Sequence, residues 1–147
     1  MRPRSKKGRI TVVKTPRAGW KGLSAVLATS GVLHFVRPEP FDRMIPRSMG
    51  APRPWVQVSG AAELAVSAAL LHPVTRSLAG WAAAALFVGV FPGNVTMATR
   101  AAGSARASTT TKALTVARLP LQVPLVWWAV DVAQRASARR TAERHEP

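Results

Sequence analysis

Residues 55–71, WVQVSGAAELAVSAALL, form an apolar run of seventeen residues with a single charge, Glu63, eight residues from either end. At the rise of an α-helix, Glu63 lies about 12 Å from each end of the run. The run is just long enough to cross a bilayer core of about 30 Å. An ionised acid near the membrane midplane is costly, so Glu63 is expected to have a partner or a function there.

The composition of the chain indicates a membrane protein with basic tails. Of its 147 residues 48% are hydrophobic, and 21 Lys and Arg residues oppose 6 Asp and Glu residues, for a formal charge of +15. Twelve of the basic residues lie before or at the start of the first apolar run, or after the last one, and this distribution is typical of membrane proteins. The basic residues do not alternate with aromatic ones, so we do not expect a nucleic-acid partner.

The absence of cysteine excludes a disulfide framework and a thiol redox centre within the chain. With three histidines and six acids, no metal site is expected.

Three further apolar runs complete an all-α architecture, a four-helix transmembrane bundle with disordered basic tails. Residues 77–97 contain no charge, whereas the last run contains Arg118 and two prolines. Gly89 and Gly93 have the G-x-x-x-G spacing, and Gly80 and Ala84 are also four residues apart. Small residues with this spacing let membrane helices approach closely, so they are predicted to pack helices. A homodimer is a further expected partner. The predicted spans are residues 20–36, 55–71, 77–97 and 114–132, within a membrane domain of residues 19–132.

The segments outside the spans are predicted to be loops and tails. Residues 1–18 are basic and are interpreted as a disordered tail. Residues 37–54 contain five prolines and four large apolar residues, which favours a short amphipathic piece lying on the membrane or capping the bundle. Pro92 is expected to kink or end its helix. Residues 98–113 are interpreted as a loop, and residues 133–147 as a charged, frayed tail.

Four spans place both tails on one side of the membrane. Counting Lys and Arg, that side carries thirteen and the other seven, so both termini are predicted to be cytoplasmic, in the plasma (inner) membrane. Each span then contributes a polar side chain to the outer half of the membrane. We expect these side chains to face one another in a pocket open to the outer surface, because hydrocarbon does not solvate them. The members of this cluster are His34, Glu63, Asn94, Arg118 and Gln122.

Each of these residues also has a purely structural interpretation. Glu63 and Arg118 would form an ion pair that fixes the helix arrangement. His34 would bond a loop carbonyl, Asn94 would cap the break after Pro92, and Gln122 would join two helices.

Four blocks of the chain together carry a family resemblance. They are GVLHFVRPEPFDRMIP at 31–46, SGAAELAVSAALL at 59–71, AALFVGVFPGNVTMA at 84–98 and RLPLQVPLVWWA at 118–129. These blocks resemble the DoxX-like family of small four-span bacterial membrane proteins. The resemblance covers nearly all of residues 20–130 and implies a four-helix membrane bundle.

The resemblance also implies a function. Some members are named for a subunit of a membrane thiosulfate:quinone oxidoreductase, and others are linked to oxidative-stress complexes. It therefore implies an accessory membrane subunit of a quinone-linked redox or oxidative-stress complex, with no activity of its own and a quinone headgroup in the polar pocket. The alternatives are a small proton-linked transporter, based on Glu63, and a membrane scaffold without chemistry.

Overall fold

The computed structural model describes residues 19–145, which form helices joined by short connections and contain no strand. The expected all-α class is confirmed, while the predicted tail of residues 1–18 lies outside the described part. A short 3₁₀ turn separates the second and third of five helices. In chain order these are α1 Gly19–Val36, α2 Glu39–Asp42, the 3₁₀ turn Arg47–Met49, α3 Pro52–Leu71, α4 Arg76–Gly103 and α5 Thr109–His145.

α1 and α3 form an antiparallel pair held by serines. The Ser67 hydroxyl donates to the Ser24 carbonyl at 2.8 Å, and the two hydroxyl oxygens are 2.9 Å apart. Ten residues further along α1, His34 faces Glu63, which precedes Ser67 by four residues. Residue numbers rise along α1 while those of the contacting residues fall along α3, so the two helices run in opposite directions.

α4 and α5 form the second antiparallel pair. The Ser77 and Ser137 hydroxyls lie 2.6 Å apart near one end, and Asn94 meets Gln122 further along. α3 also packs against α4, and the start of α1 reaches α5, where Gly19 contacts Trp128. The start of α1 and the last turns of α5 therefore lie at the same end of the molecule.

The apolar core lies in the half of the molecule that contains the start of α1 and the last turns of α5. Its members are small or aliphatic except for one phenylalanine, and the largest of them are fully buried. Alanines let α4 and α5 approach closely, because they present little side-chain volume between the helix axes. The core consists of Leu23, Leu27, Leu70, Ala79, Ala83, Ala84, Phe87, Ala129 and Val132.

The proline-rich segment between α1 and α3 folds over the opposite end. A Pro at the first turn begins α3, where a missing backbone N–H costs nothing. Arg53 forms an ion pair with Asp42 at 2.8 Å, and Trp55 donates its indole N–H to the Met49 carbonyl at 3.1 Å. Arg100 of α4 donates to the carbonyl of Arg43, so this segment is attached to both helix pairs.

Three predictions about helix ends can be compared with the structure. α4 continues through Pro92 to Gly103, so the proline does not end the helix, and a kink at Pro92 stays a prediction. α5 begins at Thr109, which shortens the predicted loop of residues 98–113 to residues 104–108. α5 also continues beyond residue 132, because Ala133 and Ala136 remain buried against α4 and its neighbours.

The part of α5 that ends at Arg140 is predicted to stabilise the fold. The Arg140 guanidinium donates to the Val74 carbonyl at 2.7 Å. Removal of residues 134–147 deletes this bond, the Ser77–Ser137 bond and the buried Ala136. We expect it to lower the free energy of unfolding by about 1–3 kcal/mol. Removal of residues 141–147 is the matched control and should change it little, since the described residues there are exposed. Equal stability of both truncations would contradict the packed arrangement.

Two helices, α4 and α5, are long and apolar enough to cross a membrane. Only 33% and 17% of their most apolar windows are buried within the chain, so most of that apolar surface has no protein cover among the described residues. α1 and α3, also predicted as spans, are not among the described helices that meet this criterion of length and hydropathy. Their polar residues include Lys21 and His34 in α1 and Glu63 in α3.

Candidate functional site

A cavity of about 630 Å³ lies between α1, α3, α4 and α5, beneath the segment that contains α2. Its volume falls in the range of small-molecule sites, about 300–1,000 Å³. Most of the lining is apolar, as in Leu27, Phe87 and Leu125. The structure also places all five residues of the predicted polar cluster in this lining, namely His34, Glu63, Asn94, Arg118 and Gln122.

His34 and Glu63 form the polar contact between α1 and α3. His34 Nδ1 lies 2.8 Å from the Ser30 carbonyl, which can only accept, so Nδ1 carries the proton. Glu63 Oε2 is 3.5 Å from the same nitrogen, within ion-pair distance but too far for a good hydrogen bond. Both side chains are buried, and the Ser30 hydroxyl bonds the Glu63 carboxyl group.

Two glycines make this contact possible. A Cβ on Gly60 would lie 2.6 Å from the Cβ of His34, and one on Gly31 would lie 2.9 Å from the Gly60 carbonyl. Any side chain at either position would separate α1 from α3 at the level of the cavity. These glycines were not predicted as functional. The sequence does contain a signal for them, because Gly31 follows Ser24 by seven residues and Gly60 precedes Ser67 by seven, so each shares a helix face with its serine.

The predicted ion pair between Glu63 and Arg118 does not form. Ion pairs among residues 19–145 join Glu63 to His34, Asp42 to Arg53 and Asp131 to Arg135. α1 is the main packing neighbour of α3 and brings His34 to Glu63, whereas Arg118 lies on α5 with an exposed side chain. Arg118 therefore contributes a solvated or lipid-facing cation to the cavity.

Asn94 and Gln122 connect α4 to α5 through a chain of amides. Gln122 Nε2 donates to the backbone carbonyl of Phe87, and Asn94 Nδ2 donates to Gln122 Oε1 at 3.3 Å. Both side chains are at least nine-tenths buried. The predicted role of Gln122 in joining helices is seen here, whereas Asn94 bonds a side chain of another helix and does not cap a helix break.

Two buried oxygen atoms that lack a hydrogen-bond donor belong to this site. They are Glu63 Oε2 and Asn94 Oδ1, and both residues are 7% exposed. A buried acceptor without a donor costs about 1–3 kcal/mol and is uncommon outside functional sites. The residues that carry them line the same cavity, which makes these atoms its chemically distinctive feature.

Aromatic and sulfur-containing side chains close the cavity from the loop side. The Phe41 ring stacks on His34 with centroids 3.8 Å apart, and Met44 is buried beside it. Both residues line the cavity. The predicted capping by the amphipathic segment is therefore seen, with Phe41 supplied by α2.

The predicted packing of Gly89 and Gly93 is not seen within the chain. A Cβ on Gly89 would meet nothing within 4 Å, and one on Gly93 would contact Met44 at an ordinary 3.6 Å. The close approach on α4 uses Gly80, where a Cβ would lie 2.8 Å from the backbone of Ala133. A role of Gly89 in contact with a second copy of the chain stays a prediction.

Residues 23–133 match the model of the family described as Domain of unknown function (DUF8561). The chain belongs to this family. The matched DUF8561 region includes every residue that lines this cavity and ends at Ala133, which packs against Gly80 of α4. No curated protein matches the chain, and no solved structure does.

Proposed function

We propose that the chain is a multi-pass membrane protein in which α1, α3, α4 and α5 cross the plasma (inner) membrane of a bacterium as a four-helix bundle. Support comes from large apolar side chains that remain exposed on all four helices, for example Val26, Val58, Leu78 and Val123. Water would oppose so much exposed apolar surface, whereas lipid would not. The polar groups of α1 and α3 bond one another, as expected in hydrocarbon.

The proposed orientation has both termini in the cytoplasm. The start of α1 and the last turns of α5 lie together, and the sequence carries more Lys and Arg in the segments that four spans would leave on that side. The cavity then lies in the half of the membrane that faces away from the cytoplasm, beneath α2.

In this setting, the cavity is proposed to bind a small amphipathic molecule. Apolar walls would hold its tail or ring, and the polar residues of the two helix pairs would meet its head group. The single observation that carries this proposal is the 630 Å³ cavity, into which all four long helices bring a polar residue.

The resemblance to DoxX-like proteins suggests that this molecule is a quinone. The chain would then act as an accessory subunit of a quinone-linked redox or oxidative-stress complex, with a membrane oxidoreductase as its partner. A chain without cysteine would not carry thiol chemistry of its own, so the quinone and the partner would supply the redox steps.

The test is extraction of the ligand from protein purified out of bacterial membranes in mild detergent, followed by mass spectrometry of quinones. We expect bound quinone, and severalfold less of it in Ala25→Phe, because Ala25 lines the cavity and a phenyl ring would fill part of it. Ala85→Phe is the control, since Ala85 is exposed on α4 and outside the cavity lining. Equal quinone content in the two variants, or none in the wild type, would contradict the proposal.

A further inference from the structure

The amide chain between α4 and α5 has one possible orientation. The Phe87 carbonyl can only accept, so Gln122 must present its amide nitrogen there and its oxygen to Asn94. Asn94 must then present its nitrogen to Gln122, which leaves Asn94 Oδ1 as the free atom. Asn94, a lining residue of the cavity, therefore carries a buried acceptor without a donor.

Glu63 provides the second acceptor. The Ser30 hydroxyl bonds the carboxyl group, but Oε2 receives no hydrogen bond. His34 Nδ1 does not supply one, because its proton is directed to the Ser30 carbonyl. The remaining cation of the lining, Arg118, has an exposed side chain on α5 and does not pair with Glu63.

We propose that the cavity selects a head group that donates hydrogen bonds, of the aromatic-diol class, and so binds a quinol in preference to the corresponding quinone. Two hydroxyl groups would satisfy Asn94 Oδ1 and Glu63 Oε2, whereas two quinone carbonyls would leave both atoms without donors. The aromatic ring suits a wall made of the stacked Phe41 and His34 rings. This inference rests on the proposed function, since it concerns the same cavity and the redox state of its ligand.

The experiment compares three ligands of nearly equal shape on the full chain in lipid nanodiscs. They are a short-tailed 1,4-naphthoquinone, its quinol under anaerobic dithionite, and the dimethyl ether of that quinol, which lacks both donors. The chain contains no cysteine, so the reductant does not alter its covalent structure. We expect the dissociation constant of the quinol to be lower than those of the quinone and the ether by about tenfold or more, as equilibrium dialysis would measure.

Glu63→Gln tests the origin of the preference. Its amide oxygen can still accept from Ser30, so its NH₂ group would replace Oε2 and offer a donor to the ligand. The preference for quinol should then fall to about twofold or less. Gln57→Glu, at an exposed position of α3, is the control and should retain the wild-type preference.

The outcomes separate this inference from the proposed function. Similar affinity of the wild type for quinol, quinone and ether would overturn the inference and leave an amphipath-binding cavity. No binding of any of the three would overturn both. The comparison of ligands on the wild type needs no variant, so a failure of Glu63→Gln to fold would not prevent the test.

Discussion

Gly80→Val is expected to lower the free energy of unfolding by about 2–3 kcal/mol, because α4 touches the backbone of α5 at this position. A Cβ on Gly80 would lie 2.8 Å from the Cα, Cβ and N atoms of Ala133. Backbone atoms cannot rotate away as a flexible side chain can, so the two helices would have to separate. Separation would also expose the buried Ala79 and Ala83.

Gly89→Val is the matched control on the same helix. A Cβ there would meet nothing within 4 Å, so the same substitution should change stability by less than about 0.5 kcal/mol. Unfolding in mixed micelles of rising SDS content, followed by far-ultraviolet circular dichroism, measures both variants. The contact of α4 with α5 would be refuted by equal losses, and a loss confined to Gly89→Val would place the packing face on the other side of α4.

Gln122→Leu is expected to destabilise the protein by about 1–3 kcal/mol. The substitution keeps the approximate volume but removes the donor to the Phe87 carbonyl and the acceptor for Asn94 Nδ2. The buried Asn94 amide would lose its partner, and the Phe87 carbonyl would lose its side-chain donor. The same unfolding measurement applies, and Gln134→Leu is the control because Gln134 is exposed on the same helix.

A double variant distinguishes a bonded pair from two independent residues. Asn94→Leu combined with Gln122→Leu removes both amides, so no side-chain amide is left unpaired. Its destabilisation should be smaller than the sum of the two single losses. Strict additivity would show that the amide chain does not couple α4 to α5.

The positions of the polar side chains along the helix axes could be predicted from the sequence, because an α-helix has a constant rise per residue. Alternating helix directions then place His34, Glu63, Asn94 and Gln122 at similar heights, and the structure brings them to one cavity. Their partners could not be predicted in the same way, since rotation about each helix axis decides which side chains meet. Glu63 therefore pairs with His34 although Arg118 is at a comparable height and carries a permanent charge.

The end of α5 shows a similar limit. The charged, alanine-rich residues 133–147 have a low mean hydropathy, and hydropathy alone predicts a frayed tail there. The structure continues the helix because Ala133 and Ala136 pack closely and Ser137 bonds Ser77. Small residues contribute such contacts only where a partner backbone comes close, and their own composition does not reveal the partner.

The amino-acid sequence by itself determined the helical class, the number of long helices and the positions of their polar residues, because these depend on apolar runs and on helical rise. Only the tertiary structure decided which small residues form the helix contacts. It also decided which polar groups pair, and that two lining residues of the cavity carry acceptors without donors, namely Glu63 Oε2 and Asn94 Oδ1. The physical reason is that hydrogen bonds and close contacts act over a few ångströms, so the relative rotation of the packed helices selects them.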